Sequence, residues 1–213
     1  MAEELLYFRI SGLQKRSDLT LQQVVANPTL IAAINAYQLD NLLRLAEHLK
    51  APETSSPYKD SEDLATRGAT WQFLRYVVDL APANENTYFR ALVNAKTNGM
   101  ANLTPVVAPL FAGGLPTAFR SWALAQYLDN SGLTTDPMLQ FSSWNYRSVL
   151  TNQLGLTGYP LKPRVLVDGA PQSFVLPAGG AGYMRFRVNG GASAAIVSSA
   201  LPSAVDLVLV RTQ

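Results

Sequence analysis

The sequence predicts an α+β fold, with a helical subdomain over residues 1–150 and a small antiparallel, β-sandwich-like module over residues 160–213. Three observations predict it. Residues 61–132 form a run of amphipathic helical segments separated by short Asn-, Gly- and Pro-marked turns. The segments before them carry explicit helix-start signals. From Arg164 onward the pattern changes to short β-prone runs, RVLVDG, SFVL, AGYMRFRV, SAAIVSS and VDLVLVR, divided by Gly, Pro and Asn clusters. Helices segregated from strands argue for α+β rather than a doubly wound sheet.

Taken in order, residues 2–13 place Leu5, Leu6, Phe8, Ile10 and Leu13 behind leading acids, as a helix does. Thr20 and Gln23 have the spacing of a capping box for a short helix through Val25. Asn27 as cap and Pro28 at the first helical position open a helix expected to reach about Lys50, where Pro52 blocks extension. A polar loop, PETSSPYKD, leads to the central helix, with Ser61 as its expected cap and Glu62 and Asp63 in its first turn. In that helix Trp71, Leu74 and Val78 share one face and Phe73, Val77 and Leu80 the next, leaving Gln72, Arg75 and Asp79 as a narrow polar strip. Asn84 caps the following helix, which turns Tyr88, Phe89, Leu92 and Val93 inward; Phe119, Trp122, Ala125 and Leu128 bury the last. Trp71 and Trp122 read as core.

Residues beyond Gly132 read as a long, partly extended connector containing one helical turn. Leu207 and Leu209 on one side of the final strand, with Val208 and Val210 on the other, predict a strand covered on both faces. A β module this small, without a disulfide, is expected to dock on the helices.

Composition narrows the function. Apolar residues make up 48% and charged residues 15%, with a net charge of +2 and no basic stripe, which argues against nucleic acid. No cysteine is present, so disulfides and thiolate metal sites are excluded. No apolar run is long enough for a membrane span, and the first residues lack the basic-then-apolar order of a signal peptide. His48 is the single histidine, near a predicted helix end, where packing or dipole electrostatics accounts for it. No Gly-x-Ser-x-Gly elbow accompanies any serine, and the Gly-Gly pairs lack phosphate-loop context. Two features offer chemistry. Glu3 and Glu4 are adjacent carboxylates in a first turn, and Arg67 sits in the small-residue setting ATRGAT, where Gly68 admits a close backbone neighbour.

The run MAEELLYFRISGL resembles the segment after the third-ligand glutamate of gluzincin-type zinc metallopeptidases, notably the hyicolysin-like group of secreted bacterial proteins. RGATWQFLRYVVD is similar to that family's later helix, and FRALVNAKTNGMANL with FRSWALAQYLDNSG to its next pair. The likeness spans most of residues 2–147. It implies a zincin C-terminal-like helical subdomain forming one wall of a cleft for a peptide or protein substrate, in a monomeric, secreted or periplasmic parent. It places Glu3 and Glu4 behind the metal ligands, two helical turns beyond the zinc-binding glutamate, and makes Arg67 substrate-facing. Neither histidine of His-Glu-x-x-His is present, nor the Glu-Gly of the third-ligand phrase. The expectation is therefore a chain with no catalytic residue, metal ligand or cofactor of its own, inactive alone, with zinc bound by the full-length parent. The alternative is a non-catalytic extracytoplasmic binding or scaffold module.

Overall fold

The computed structural model describes residues 2–81, 84–198 and 201–212. It is α-rich with one small sheet. The order is α1 (Ala2–Ser11), α2 (Leu21–Val25), α3 (Pro28–Tyr37), α4 (Leu39–Lys50), α5 (Leu64–Leu80), α6 (Glu85–Asn94), α7 (Met100–Val107), α8 (Gly114–Leu128), α9 (Tyr146–Ser148), β1 (Arg164–Val165) and β2 (Met184–Arg185). A π-helical turn, Val149–Gln153, continues α9. Among the described residues no helix is long and apolar enough to cross a membrane.

Local chemistry sets most boundaries. Thr20 Oγ1 accepts from the Gln23 backbone N–H while Gln23 Oε1 accepts from the Thr20 N–H, completing the capping box of α2. Asn27 Oδ1 accepts from the Leu30 N–H, and Pro28 follows at the first helical position of α3. The helix expected from there to Lys50 is two helices, broken at Gln38, whose side chain is buried. The cap of α5 is Asp63, not Ser61. Asp63 Oδ1 accepts from the Thr66 N–H at 2.7 Å, and Ser61 Oγ donates to the other carboxylate oxygen. An ionised carboxylate is the stronger acceptor at the positive end of a helix.

Helices α4 and α5 pack closely because of one residue. A Cβ on Gly68 would lie 2.2 Å from the Arg44 carbonyl oxygen, so only glycine allows this approach. Around the pair, Leu45, Leu49, Phe73, Tyr76, Trp122, Phe141, Tyr146 and Leu150 form the buried core. Phe73 stacks on Phe119 at 4.6 Å and meets the edge of Trp122 at 5.6 Å. Trp71 and Trp122 are core residues, as expected. Two expectations fail here. Val93 points outward, 82% exposed, on a helix whose Tyr88, Phe89 and Leu92 are only half-buried. The stretch after Gly132 is no simple connector, since Phe141, Trp144, Tyr146, Val149 and Leu150 all enter the core.

The antiparallel β-sandwich-like module does not form among the described residues. β1 and β2 make one parallel pair, Arg164 with Met184 and Val165 with Arg185, exposed on both strands. A single antiparallel bridge, Val167 with Ala170, closes a turn. The SFVL and VDLVLVR runs lie outside any ladder, as does the described part of SAAIVSS; Ser199 lies outside the described residues. Leu207 and Leu209 are 60% and 72% exposed, so the last run is not a covered central strand. The runs are short and separated by Gly- and Pro-rich turns, and among the described residues only the two residue pairs of β1 and β2 align as neighbouring strands. The tail instead fastens to the helices through single polar groups. Tyr183 Oη donates to the Ala123 carbonyl at 2.7 Å, Ser56 Oγ donates to the Ala178 carbonyl at 2.6 Å, and Arg164 pairs with Glu53.

Gly68→Ala should destabilise the chain by about 2–3 kcal/mol, because backbone rather than a flexible side chain must move. A urea midpoint within error of the wild type would show that α4 and α5 do not approach as described.

Candidate functional site

Charge collects at one buried place, centred on Arg75 of α5. Its side chain and those of Glu4 and Asp79 are fully covered. Arg75 Nε donates to Asp79 Oδ1 at 2.9 Å, one turn along the same helix, and Nη2 lies 2.8 Å from that oxygen without hydrogen-bond alignment. Nη1 donates to Glu85 Oε2 at 2.7 Å and reaches Glu4 Oε2 at 3.4 Å. Trp144 Nε1 donates to the other oxygen of Glu4. Asp79 also accepts from the Ser143 backbone N–H at 3.0 Å and from the Ser143 hydroxyl. Lys15 pairs with Glu85 at the rim.

Three carboxylates thus face one buried guanidinium, and their environments divide them. Burial opposes the charge on Arg75, but Asp79, Glu4 and Glu85 together hold it cationic. Burial also opposes the charge on Glu85, yet its bonds to Lys15 and Arg75 keep it below the usual carboxylate range. For Glu4 burial wins over Arg75 and Trp144, and its carboxyl titrates above the usual range. Arg75 and Asp79 belong to the narrow polar strip that periodicity left on this helix. Their i, i+4 spacing inside an otherwise apolar helix was the available signal, since a buried charge requires a partner within one turn.

Glu3 and Glu4 do not act as a pair. Consecutive helical positions diverge by about 100°, so Glu4 enters the cluster while Glu3 is exposed. Nor does the fold bring Arg67 to Glu4. Arg67 stands two turns before Arg75, about 12 Å along the axis, half-exposed and paired with Glu62. It borders an open depression of about 420 Å³ between α4, α5 and the loop that precedes α5.

His48 lies apart, buried and stacked on Trp122 at 5.5 Å. Gln126 Nε2 lies 3.0 Å from His48 Nε2, and Ser55 Oγ lies 2.8 Å from Nδ1. The amide donates to Nε2, so the ring proton belongs on Nδ1 and is given to Ser55. A histidine that donates to a serine cannot take its proton, so this contact is not a nucleophile–base pair. Burial pushes His48 down to about 4 despite the Gln126 contact. With both nitrogens engaged, the one histidine has none free for a metal. Among the described residues, no three His, Cys, Asp or Glu side chains are grouped to hold a metal ion. The peptidase resemblance assigns zinc to the full-length parent, and His48, with both ring nitrogens engaged, is not placed to be one of its ligands.

Two outcomes follow. Arg75→Met should cost about 3–5 kcal/mol by leaving buried carboxylates unpaired, read as a urea midpoint shift; a loss under about 1 kcal/mol would mean the cluster is hydrated. His48 stays neutral in the fold while the unfolded chain protonates it near 6.5, so its stability is present above pH 6.5. That contribution should be lost as pH falls from 6.5 to 4, by about 3 kcal/mol, and His48→Gln should remove this component from the pH profile. A His48→Gln profile as steep as the wild type would contradict a buried neutral histidine.

No family model matches the chain, and neither does any curated protein or solved structure.

Proposed function

We propose that this chain is the helical C-terminal subdomain and tail of a zinc-metallopeptidase-like protein, forming one wall of a peptide-binding cleft and inactive by itself. The observation that carries this is the anchoring of α1 through Glu4. A helix set just behind a metal ligand must be held rigidly, because small displacements at a reacting centre are costly. Glu4 supplies that hold by engaging Arg75 and Trp144, while Tyr7 one turn later stacks on Trp144 at 5.3 Å. The two imidazoles and the general base belong to sequence outside this chain, and the chain has no cofactor of its own. The parent is a secreted or periplasmic monomer acting on peptide or protein. A second assignment, a non-catalytic extracytoplasmic binding or scaffold module, draws on Val175, Val197 and Leu209, which the tail exposes at 92%, 87% and 72%.

The gene separates the two. A reading frame that continues upstream of Met1 into a His-Glu-x-x-His helix supports the peptidase assignment, whereas a ribosome-binding site directly before Met1 contradicts it. For the chain itself, equilibrium dialysis against zinc and metal analysis after mild chelation should find no retained equivalent, and quenched-fluorescence peptides should stay intact. Stoichiometric zinc or peptide cleavage would overturn the assignment.

A further inference from the structure

We propose that the depression between α4 and the start of α5 is a binding site for a single carboxylate carried on an apolar body, such as the free end of a peptide with a large C-terminal side chain. It uses only residues of these two helices and the loop before α5, and binding to this chain alone, without zinc or cleavage, tests it separately from the peptidase-like assignment. The volume, about 420 Å³, falls in the range of small-molecule sites, about 300–1,000 Å³.

The backbone builds the site. Gly68 presses against the Arg44 carbonyl, which roots Arg44 and Arg67 side by side on crossing helices. Both line the depression together with Lys59, while Thr70, Trp71 and Leu74 contribute its apolar and aromatic side. Trp71 is 6% exposed, and its buried indole N–H has no hydrogen-bond partner among the described residues.

A carboxylate already shows what Arg67 takes. Glu62, itself 90% exposed, rests on the Arg67 guanidinium. An exposed pair of this kind is weak, so a ligand carboxylate that also gains the apolar wall can replace Glu62. Planar guanidinium favours bidentate carboxylate binding. Arg44 and Lys59 have similar partners, Asp40 at 3.2 Å and Asp63 at 3.2 Å. Asp60 and Glu62 stand on the same rim. Four acids, Asp40, Asp60, Glu62 and Asp63, stand against these three cations, so a ligand carboxylate binds only by displacing Glu62, and a dianion such as phosphate is repelled more strongly than a single carboxylate.

The probe is N-acetylphenylalanine, titrated into the full chain and followed by amide and indole NMR. Saturable binding is expected with a Kd of about 1 mM, together with movement of the Trp71 indole resonance, identified by its loss in Trp71→Phe. N-acetylphenylalanine amide, acetate and inorganic phosphate should each bind at least about tenfold more weakly, as should the acid to Arg67→Gln. Arg90→Gln, an exposed arginine on α6, should bind like the wild type. Arg67 is half-exposed, so its substitution leaves the fold intact, checked by the unchanged remainder of the spectrum. Equal binding of the amide or acetate, tighter binding of phosphate, undiminished binding by Arg67→Gln, a stationary Trp71 resonance, or no saturation would overturn the proposal.

Discussion

The guanidinium of Arg75, enclosed in the core, sets the conditions for everything packed around it. A cation removed from water must be surrounded by acceptors, and this one draws them from three helices: Glu4 of α1, Asp79 of its own α5 and Glu85 of α6. Through Asp79 the segment before α9 is also fixed, because Ser143 gives both its backbone N–H and its hydroxyl to that carboxylate. Through Glu4 the Trp144 indole is fixed as well, and with it the stack of Tyr7, Trp144 and Tyr146. Elements distant in sequence therefore meet at one point for an electrostatic reason. Apolar packing then closes around them.

Such a centre is a weak source of net stability, since desolvating the charges offsets most of their attraction. What it provides is position. A hydrophobic face tolerates sliding, whereas a guanidinium shared among carboxylates holds only in one arrangement. A second cation–carboxylate contact supports the same segment from the other side: Arg16 pairs with Asp129 at 3.0 Å, and Asp129 accepts from the Phe141 N–H at 3.1 Å. Together with the close crossing at Gly68, these contacts place α1, the region after α8 and the α4–α5 pair in fixed relation.

Much of the helical part was legible in sequence because its signals are local. Thr20 with Gln23, and Asn27 with Pro28, state their helix starts within four residues of chain. Even the Ser61 misassignment was off by only two positions, with Ser61 orienting the true cap. Arg75 and Asp79 were legible as a polar strip on a mostly buried helix, but not as a charge centre, because Glu4, Glu85 and Ser143 are brought to them by tertiary structure. Glu3 and Glu4 were read together, as carboxylates behind the metal ligands, yet only Glu4 enters the buried cluster, while Glu3 beside it faces solvent. Arg67 was placed at a plausible surface, with its carboxylate partner Glu62 only five residues away. The tail misled most. Its alternation is strand-like, but a ladder requires continuous partners, and at β1 and β2 only two residue pairs meet.

Native-state hydrogen exchange with increasing urea tests the central role of Arg75 most directly. If the buried cation ties these elements into one unit, amides near Tyr7 in α1, near Arg75 in α5 and at Ser143–Trp144 will merge onto a single opening isotherm. An α1 that opens at markedly lower free energy than α5, with its own shallow urea dependence, would contradict the account.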